Sequence, residues 1–454
     1  MDKEVIIIGG GISGLFVAKE LKKRKVDFFL LEGSYKLGGR HLTVTDEDEV
    51  LYEGGAWRVH STHKRMLDLL KSYNLKTTFF EKSKELEKNE IGGISKFDEN
   101  VLKTNGGVLD SLEKELQTGY QGIDLSVTKT LPYGVKKGEF FTIDEGQEKV
   151  TQLMGEEIGK KIIKLNHKVV DISRKKTGYS LKILVRKDNK IKEKVLTCKT
   201  LFIATPKHSF DNWNITKNFL LPNYHSVESQ PLTHIYAKKK VDLNWKKDRI
   251  RPNSALQQTI KPTHSKDWFQ ISYSGGRVSL FWNRILLKFG KEYVRKFLEK
   301  ISKLKLEEIK IYHWTNAYHY WIPVPEFKLN KAVEFGIEPN KLKIPNLYVV
   351  GECFSSFQGW SEGALETSEM ALCSFFEKKS FTTLYRKIPD KLNEWVLYQN
   401  FIIDVKKWKK VHPGSTKAIE SHLKEDISLL FHFINHSSLS YAVLNSLKVG
   451  LLQN

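Results

Sequence analysis

Cysteine is scarce in this sequence. Only Cys198, Cys353 and Cys373 occur among 454 residues, too few for a disulfide framework and without the spacing of a metal cluster, so neither disulfides nor structural zinc are expected. Long apolar runs are missing too, since no tract approaches the roughly 18 residues that a membrane-crossing helix requires. The N-terminus enters Glu4-Val5-Ile6-Ile7-Ile8 with no basic lead and no apolar segment ending in a small-residue cleavage site. That pattern gives no secretory signal and makes a cytoplasmic location the expectation. What is present is a globular composition, 40% apolar, 11% aromatic and 28% charged, which argues against disorder. At about 100 to 200 residues per domain, the length predicts two to four domains.

Acidic residues are the other deficit. Asp and Glu number 53 against 74 Lys and Arg, a formal charge of +21, and polyphosphates bind through such an excess. The basic residues, however, form short scattered clusters, Lys22–Lys25, Lys238–Lys240 and Lys406–Lys410, beside no finger, basic-zipper or RNA-recognition signature. No nucleic-acid partner is expected. Long-range steering of an acidic partner or anionic substrate remains open.

Val5–Ile8 reads as a buried parallel strand, and Gly9-Gly10-Gly11-Ile12-Ser13-Gly14 follows it, opening an amphipathic helix that runs to about Arg24. Gly9 permits a tight turn, Gly11 lets backbone approach a pyrophosphate, and Gly14 lets helix and sheet pack closely, while the helix N-terminus offers N–H groups to the anion. A second apolar run, Phe28–Leu31, ends in Glu32, a carboxylate spaced to accept from a ribose 2′-OH. Strand, loop, helix, strand and terminal acid in this order predict a dinucleotide site.

Gly38-Gly39-Arg40 comes next, and further segments follow: Asn166–Ile172, Leu201-Phe202-Ile203-Ala204-Thr205-Pro206, Leu347–Glu352 and Gln358-Gly359-Trp360-Ser361-Glu362-Gly363-Ala364. Together they resemble the flavin amine oxidase superfamily over about residues 1 to 378. The resemblance implies an α/β (α+β) chain with a Rossmann-type FAD-binding domain, 1–80, 141–206 and 330–378, interleaved with a substrate-binding domain of mixed sheet and helices, 81–140 and 207–329. It implies FAD contacts from Gly9, Gly11, Ser13 and Gly14, from Glu32 at the ribose, and from Gly38, Gly39 and Arg40 near pyrophosphate and flavin. Gly55, Ala56 and Trp57 belong to the same contact set, and Val169 would meet the adenine side through its backbone. Gly351 and Glu352 would lie at the ribityl and phosphate region, with Gly359, Trp360 and Ala364 toward the flavin ring. Cys353 falls in the phosphate-side motif, so non-covalent FAD is expected.

Arg58, two residues after Ala56, resembles the arginine with which L-amino-acid oxidases clamp a substrate carboxylate, and a planar guanidinium suits that two-pronged task. An arginine covering a helix start with its aliphatic stem is the other reading. Trp360 stands where the family places an aromatic wall of the substrate cavity; part of the aromatic run His313–Trp321 is expected to line the same cavity. Many relatives carry a lysine that holds a water near the flavin, in a pattern like T-K-I-[FY]; here Thr233-His234-Ile235-Tyr236 is the best match. Either His234 substitutes, Lys238 is used from an offset register, or the role is absent and His234 is an ordinary strand histidine.

After Lys378 the character changes, with a linker expected over 379–392. Residues 393–454 contain Glu394-Trp395 leading to Ile403-Asp404-Val405, then Trp408, His412-Pro413-Gly414, Asp426, Phe431 and His436-Ser437. This segment resembles the cytochrome b5 haem domain, a small α+β unit. The resemblance implies haem b with His412 and His436 as axial iron ligands, and a pair of imidazoles saturates iron for electron transfer. Ser415 departs from the family's usual second glycine, and Lys406–Lys410 make this face basic where many such modules are acidic. The chain stops at Asn454 without an apolar tail, so no membrane partner is expected. Jointly, the two resemblances imply an FAD-dependent oxidoreductase that converts the C–N bond of an L-amino acid to the imine, then to 2-oxo acid and ammonia. Electrons would pass to the fused haem, and onward to oxygen or an external acceptor. An amine or polyamine oxidase, or a non-catalytic FAD and haem relay, are the alternatives.

Overall fold

The computed structural model describes residues 2–83, 138–217, 227–239, 249–250, 255–321 and 345–380, apart from positions 48, 189, 212 and 356. Within 384–452 it describes 384–385, 388, 390, 392–398, 401–406, 408–412, 414–434, 440, 443–444 and 447–452. Most of the expected 81–140 segment, the 330–344 stretch, Pro413 and His436 therefore lie outside the described residues. The chain divides into two compact units, Met1–Leu365 and Glu366–Asn454, a division inside the helix Ser361–Ser380 and N-terminal to the expected linker.

The first unit is organised by a seven-stranded sheet. Ile163–Lys164, Phe28–Leu31, Lys3–Ile8, the end of Lys190–Ile203 and Leu347–Val349 run parallel, side by side. Val5, Ile6, Ile7, Leu30, Leu31, Leu201 and Phe202 are fully buried. Burial on both faces suits an apolar run without alternation, and each such side chain contributes about 1.5–3 kcal/mol. Along the rest of Lys190–Ile203 the same sheet continues through the antiparallel strands Gly178–Lys187 and His167–Lys175.

A second, antiparallel sheet of five strands contains Trp268–Gly275, Val227–Lys239 and Leu306–Trp321. One face packs Ile235, Ala237, Phe269 and Ile271 against Trp282, Val294 and Leu298 of the helix Gly276–Ser302. Alternation along the strand sends His234 and Tyr236 to the opposite face, where Tyr236 stacks on Tyr52 at 4.2 Å. A small sheet places Gly138–Ile143 between Val59–His60 and Thr77–Ser83.

The second unit has the four-stranded order Leu384–Tyr385, Lys448–Leu452, Phe401–Asp404, Trp395–Tyr398. Its core holds Val396, Tyr398, Ile403, Val405, Phe431 and Leu444. Among the described residues, no helix is long and apolar enough to cross a membrane.

Candidate functional site

The nucleotide cradle is made of backbone. Gly9 has φ +107°, and a Cβ there would lie 2.6 Å from the Ala204 carbonyl oxygen; on Gly14 it would lie 2.0 Å from the Gly9 oxygen. On Gly11 it would meet no protein atom within 4 Å. Gly11 caps the helix Ile12–Lys23, whose first turn has neither a side-chain cap nor an acidic residue, which leaves its N–H groups to an anion. Glu32 accepts from the N–H groups of Gly10 (2.6 Å) and Ser34 (2.8 Å), using half of a carboxylate's acceptor capacity and keeping the rest for hydroxyl donors. Gly38 joins the loop by its N–H to the Gly10 oxygen, 3.0 Å, and a Cβ on Gly351 would lie 3.8 Å from Ser13 Oγ. Val169, expected from the sequence at the adenine, is buried in His167–Lys175, a strand tied to Glu32 through the His167 N–H.

Glu352 knots three of these segments together. Its Oε1 accepts from Arg40 Nη1 at 2.5 Å and His319 Nδ1 at 2.6 Å, and its Oε2 from the Gly359 N–H at 2.8 Å. Burial opposes ionisation of this carboxyl, yet Arg40, His319 and the Gly359 N–H outweigh it and hold it well below the usual carboxylate range. With its oxygens engaged inside the protein, Glu352 positions the turn after Gly38-Gly39. Glu362 plays a similar part: it accepts from the Met66 N–H (3.0 Å) and pairs with Arg65 (3.1 Å), fastening the helix Lys64–Ser72 beside Trp360.

Beyond the cradle lies an aromatic cage. The close approach of Gly55 to Arg40, whose carbonyl oxygen would be 2.1 Å from a Cβ, carries the chain into Ala56, Trp57 and Arg58. Trp57, Phe80, Phe140, Ile260, Tyr273 and Trp360 cluster there, with Phe140 and Trp360 nearly parallel at 6.0 Å. The Arg58 guanidinium sits 4.4 Å from the Phe140 ring, 4.9 Å from Trp57 and 5.5 Å from Trp360, and pairs with Glu81 at 3.2 Å. His63 packs on Trp360 at 4.7 Å; burial, with His60 and Arg58, pushes its pKa down to about 3, so its ring is neutral.

His234 is buried and hydrogen-bonded through Nδ1 to Gln270, 2.9 Å, and its ring meets Tyr273 of the cage edge at 5.1 Å. Burial pushes its pKa down to about 3. Lys238 pairs in register with Trp268 and Glu308, four residues and thus about 13 Å along the strand, so the structure brings His234 and not Lys238 to the cage. The aromatic run splits by alternation: Trp314 donates to the Gly54 oxygen (2.7 Å), whereas His313 bonds Thr233 (2.8 Å) on the helix-facing side. Ala364 is buried in the first turn of Ser361–Ser380.

These residues fit a flavin dinucleotide. Thr205 Oγ1, His41 Nδ1, Trp57 Nε1, His234 Nε2 and His319 Nε2 are buried without a hydrogen-bond partner, and all five belong to the segments that flank the glycine loop or the cage. Buried polar atoms are rarely left so without reason. Other unpartnered atoms lie elsewhere, such as Ser274 Oγ in the five-stranded sheet and Gln147 Oε1 at the start of the helix Gln147–Ile158.

In the second unit, His412 Nδ1 donates to the Ser415 carbonyl oxygen at 3.2 Å. That bond fixes the tautomer with a lone pair on Nε2, the arrangement that suits a metal ligand. A Cβ on Gly414 would lie 2.8 Å from His412 Cε1. Ser415 has φ +86°, so serine here adopts a conformation that favours glycine.

Residues 12–122 match the model of the flavin containing amine oxidoreductase family. The N-terminal segment is similar to that family. Residues 383–453 match the cytochrome b5-like heme/steroid binding domain, and the two matches imply FAD and haem. The chain is 42% identical over 74 residues to amine oxidase [flavin-containing] A of Canis lupus familiaris, covering 16% of the chain and 14% of that protein. It is 32% identical over 80 residues to a putative L-amino-acid oxidase of Bacillus subtilis (strain 168), covering 17% of each. The chain thus spans less than a fifth of the length of these relatives. A crystal structure of a putative protoporphyrinogen oxidase from Exiguobacterium sp. 255-15 covers 83% of this chain and 99% of its own, with a TM-score of 0.56 and 14% identity, a likeness of fold.

Sequence reasoning missed Glu81, Phe140, His63 and His319. Phe140 and Glu81 lie in short strands whose pairing has no local signal. His319 was visible only as one ring in an aromatic run, because its partner Glu352 is 33 residues away.

Proposed function

We propose that the chain oxidises the C–N bond of a small amine, an L-amino acid, with FAD in the first unit, and that electrons pass to haem in the second. The observation that carries the amino-acid reading is Arg58, a nearly buried cation among three aromatic rings, reached through the Gly55-Ala56 turn beside Arg40. Bound FAD supplies the acceptor for the substrate's α-hydride, and bound haem a one-electron site. The protein's own residues do the rest. Arg58 grips the carboxylate and so fixes the α-carbon; Trp360 and Phe140 exclude water and favour the neutral amine; His234 keeps an uncharged ring with its Nε2 unengaged by the protein. Water then converts the released imine to 2-oxo acid and ammonia. Covalent fusion holds haem at an effective concentration on the order of millimolar, which supports transfer within one chain.

Arg58→Lys tests the clamp. Lysine keeps the charge and loses the fork, so amino acids should bind more weakly by about 1.5–3 kcal/mol while decarboxylated amines change little. Equal losses for both classes refute the carboxylate role. For the haem, anaerobic substrate should reduce the wild-type haem at a rate independent of protein concentration, and His412→Ala should abolish the paired-imidazole spectrum while the flavin still bleaches. A second reading, an amine oxidase acting on substrates without a carboxylate, is favoured by one contact: Arg58 already holds Glu81.

A further inference from the structure

We propose that Glu81 sets the preference of the Arg58 site between carboxylates and plain amines, acting as an internal carboxylate that a substrate acid must displace. This rests on the reading of Arg58 as the substrate clamp. Three strands create the arrangement. Phe140 lies in the central strand, in register with His60 on one side and Glu81 on the other. Arg58 therefore reaches across the Phe140 face, 4.4 Å away, to meet Glu81 of the far strand at 3.2 Å. Both side chains are largely withdrawn from solvent, 11% and 16% exposed.

The charge balance follows from the neighbours. His60 and His63 have pKa values lowered first by burial, so they add no charge near neutral pH. The Lys261 ammonium lies over the Phe80 ring, 5.7 Å from its centroid. The Arg58–Glu81 pair is thus neutral as a unit, and a neutral amine enters the cage with no charge to desolvate beyond its own. A carboxylate entering the intact pair brings a net negative charge into a poorly solvated place, and it gains the guanidinium only as Glu81 gives it up. Removing the Glu81 charge leaves a cation without its partner, which any incoming anion then satisfies.

The test uses the full-length FAD-loaded protein and two isosteric probes, benzoate and neutral benzamide. Binding is read from tryptophan fluorescence, since Trp57 and Trp360 lie 4.9 and 5.5 Å from the guanidinium. In Glu81→Gln, benzoate should bind about tenfold tighter or more, with benzamide within about twofold of wild type. Glu81→Asp keeps the charge but withdraws it by one methylene, and should fall between; it also guards against a folding defect in the first variant. Unchanged benzoate affinity in both variants, together with weaker benzoate binding in Arg58→Lys, overturns the role of Glu81 and leaves the clamp standing. Benzoate binding that ignores Arg58→Lys as well overturns the clamp, and this inference with it.

Discussion

The cradle and the cage lie in the same unit but are built from different material. The cradle is made of backbone: Gly9, Gly11, Gly14, Gly38 and Gly351 leave room for close approach, and a short stretch of sequence supplies most of the geometry. The cage is made of side chains, and Arg58, Glu81, Phe140, Tyr273 and Trp360 come from five segments up to about 300 residues apart. A backbone site is specified by which residues lack a side chain, whereas a side-chain site is specified by which strands pair.

The largest effect expected of a single substitution at neutral pH separates the two uses of glycine within the cradle. Gly14→Ala forces a Cβ into the Gly9 carbonyl and should cost about 3 kcal/mol or more of stability, seen as a fall in urea midpoint. Gly11→Ala meets no protein atom, so the fold should survive while FAD binding, followed by flavin fluorescence, is lost. A stable Gly14→Ala protein would break the distinction.

Next comes the knot between cradle and cage. Glu352→Gln leaves Arg40 and His319 without their anion and should cost on the order of 3 kcal/mol at neutral pH. Because the native carboxyl lies below its ordinary value of 4.5, its contribution is complete above that value and fades as pH falls through the depressed one. The variant should therefore approach the parent in stability as the solution is acidified.

Glu53 sharpens the comparison with the opposite sign. It sits just before the Gly54–Arg58 stretch, accepts from the Gln147 N–H (2.6 Å) and Thr43 Oγ1 (2.8 Å), and faces Glu148 and His264. Burial pushes its pKa up to about 8. Between pH 4.5 and 8 the folded protein keeps a proton that the unfolded chain releases, so stability falls by about 1.4 kcal/mol per pH unit across that window and levels off above it. Glu53→Gln should remove this slope, read from urea midpoints at pH 5 and pH 8.

The smallest effect carries the comparison into the second unit. Ser415 holds the backbone of a glycine at φ +86°, so Ser415→Gly should stabilise that unit by about 1 kcal/mol, measured as a rise in its melting temperature. No change would mean that the turn relaxes in solution.

Much of the cradle was legible because each step is local. The run Val5–Ile8, the glycines, the helix to Lys23 and the acid at Glu32 fall within about 30 residues, and each residue type answers a need of the neighbouring backbone. The hairpin Trp395–Tyr398 with Phe401–Asp404 and the His412 turn were legible for the same reason. The choice between His234 and Lys238 was not, because both lie on one face of one strand and only the neighbouring strands decide which end of that face meets Tyr273.

By itself, then, the sequence determined where backbone must bend or come close, since a missing Cβ at Gly9, Gly14 or Gly38 is a property of one residue and its immediate neighbours. Tertiary structure decided what the site holds in its walls. Glu81 faces Arg58 only because Gly138–Ile143 pairs with strands on both sides, and His319 reaches Glu352 only because the aromatic strand runs past the turn at Gly351. Such contacts depend on strand register, and register is set by the burial of whole faces rather than by any short motif.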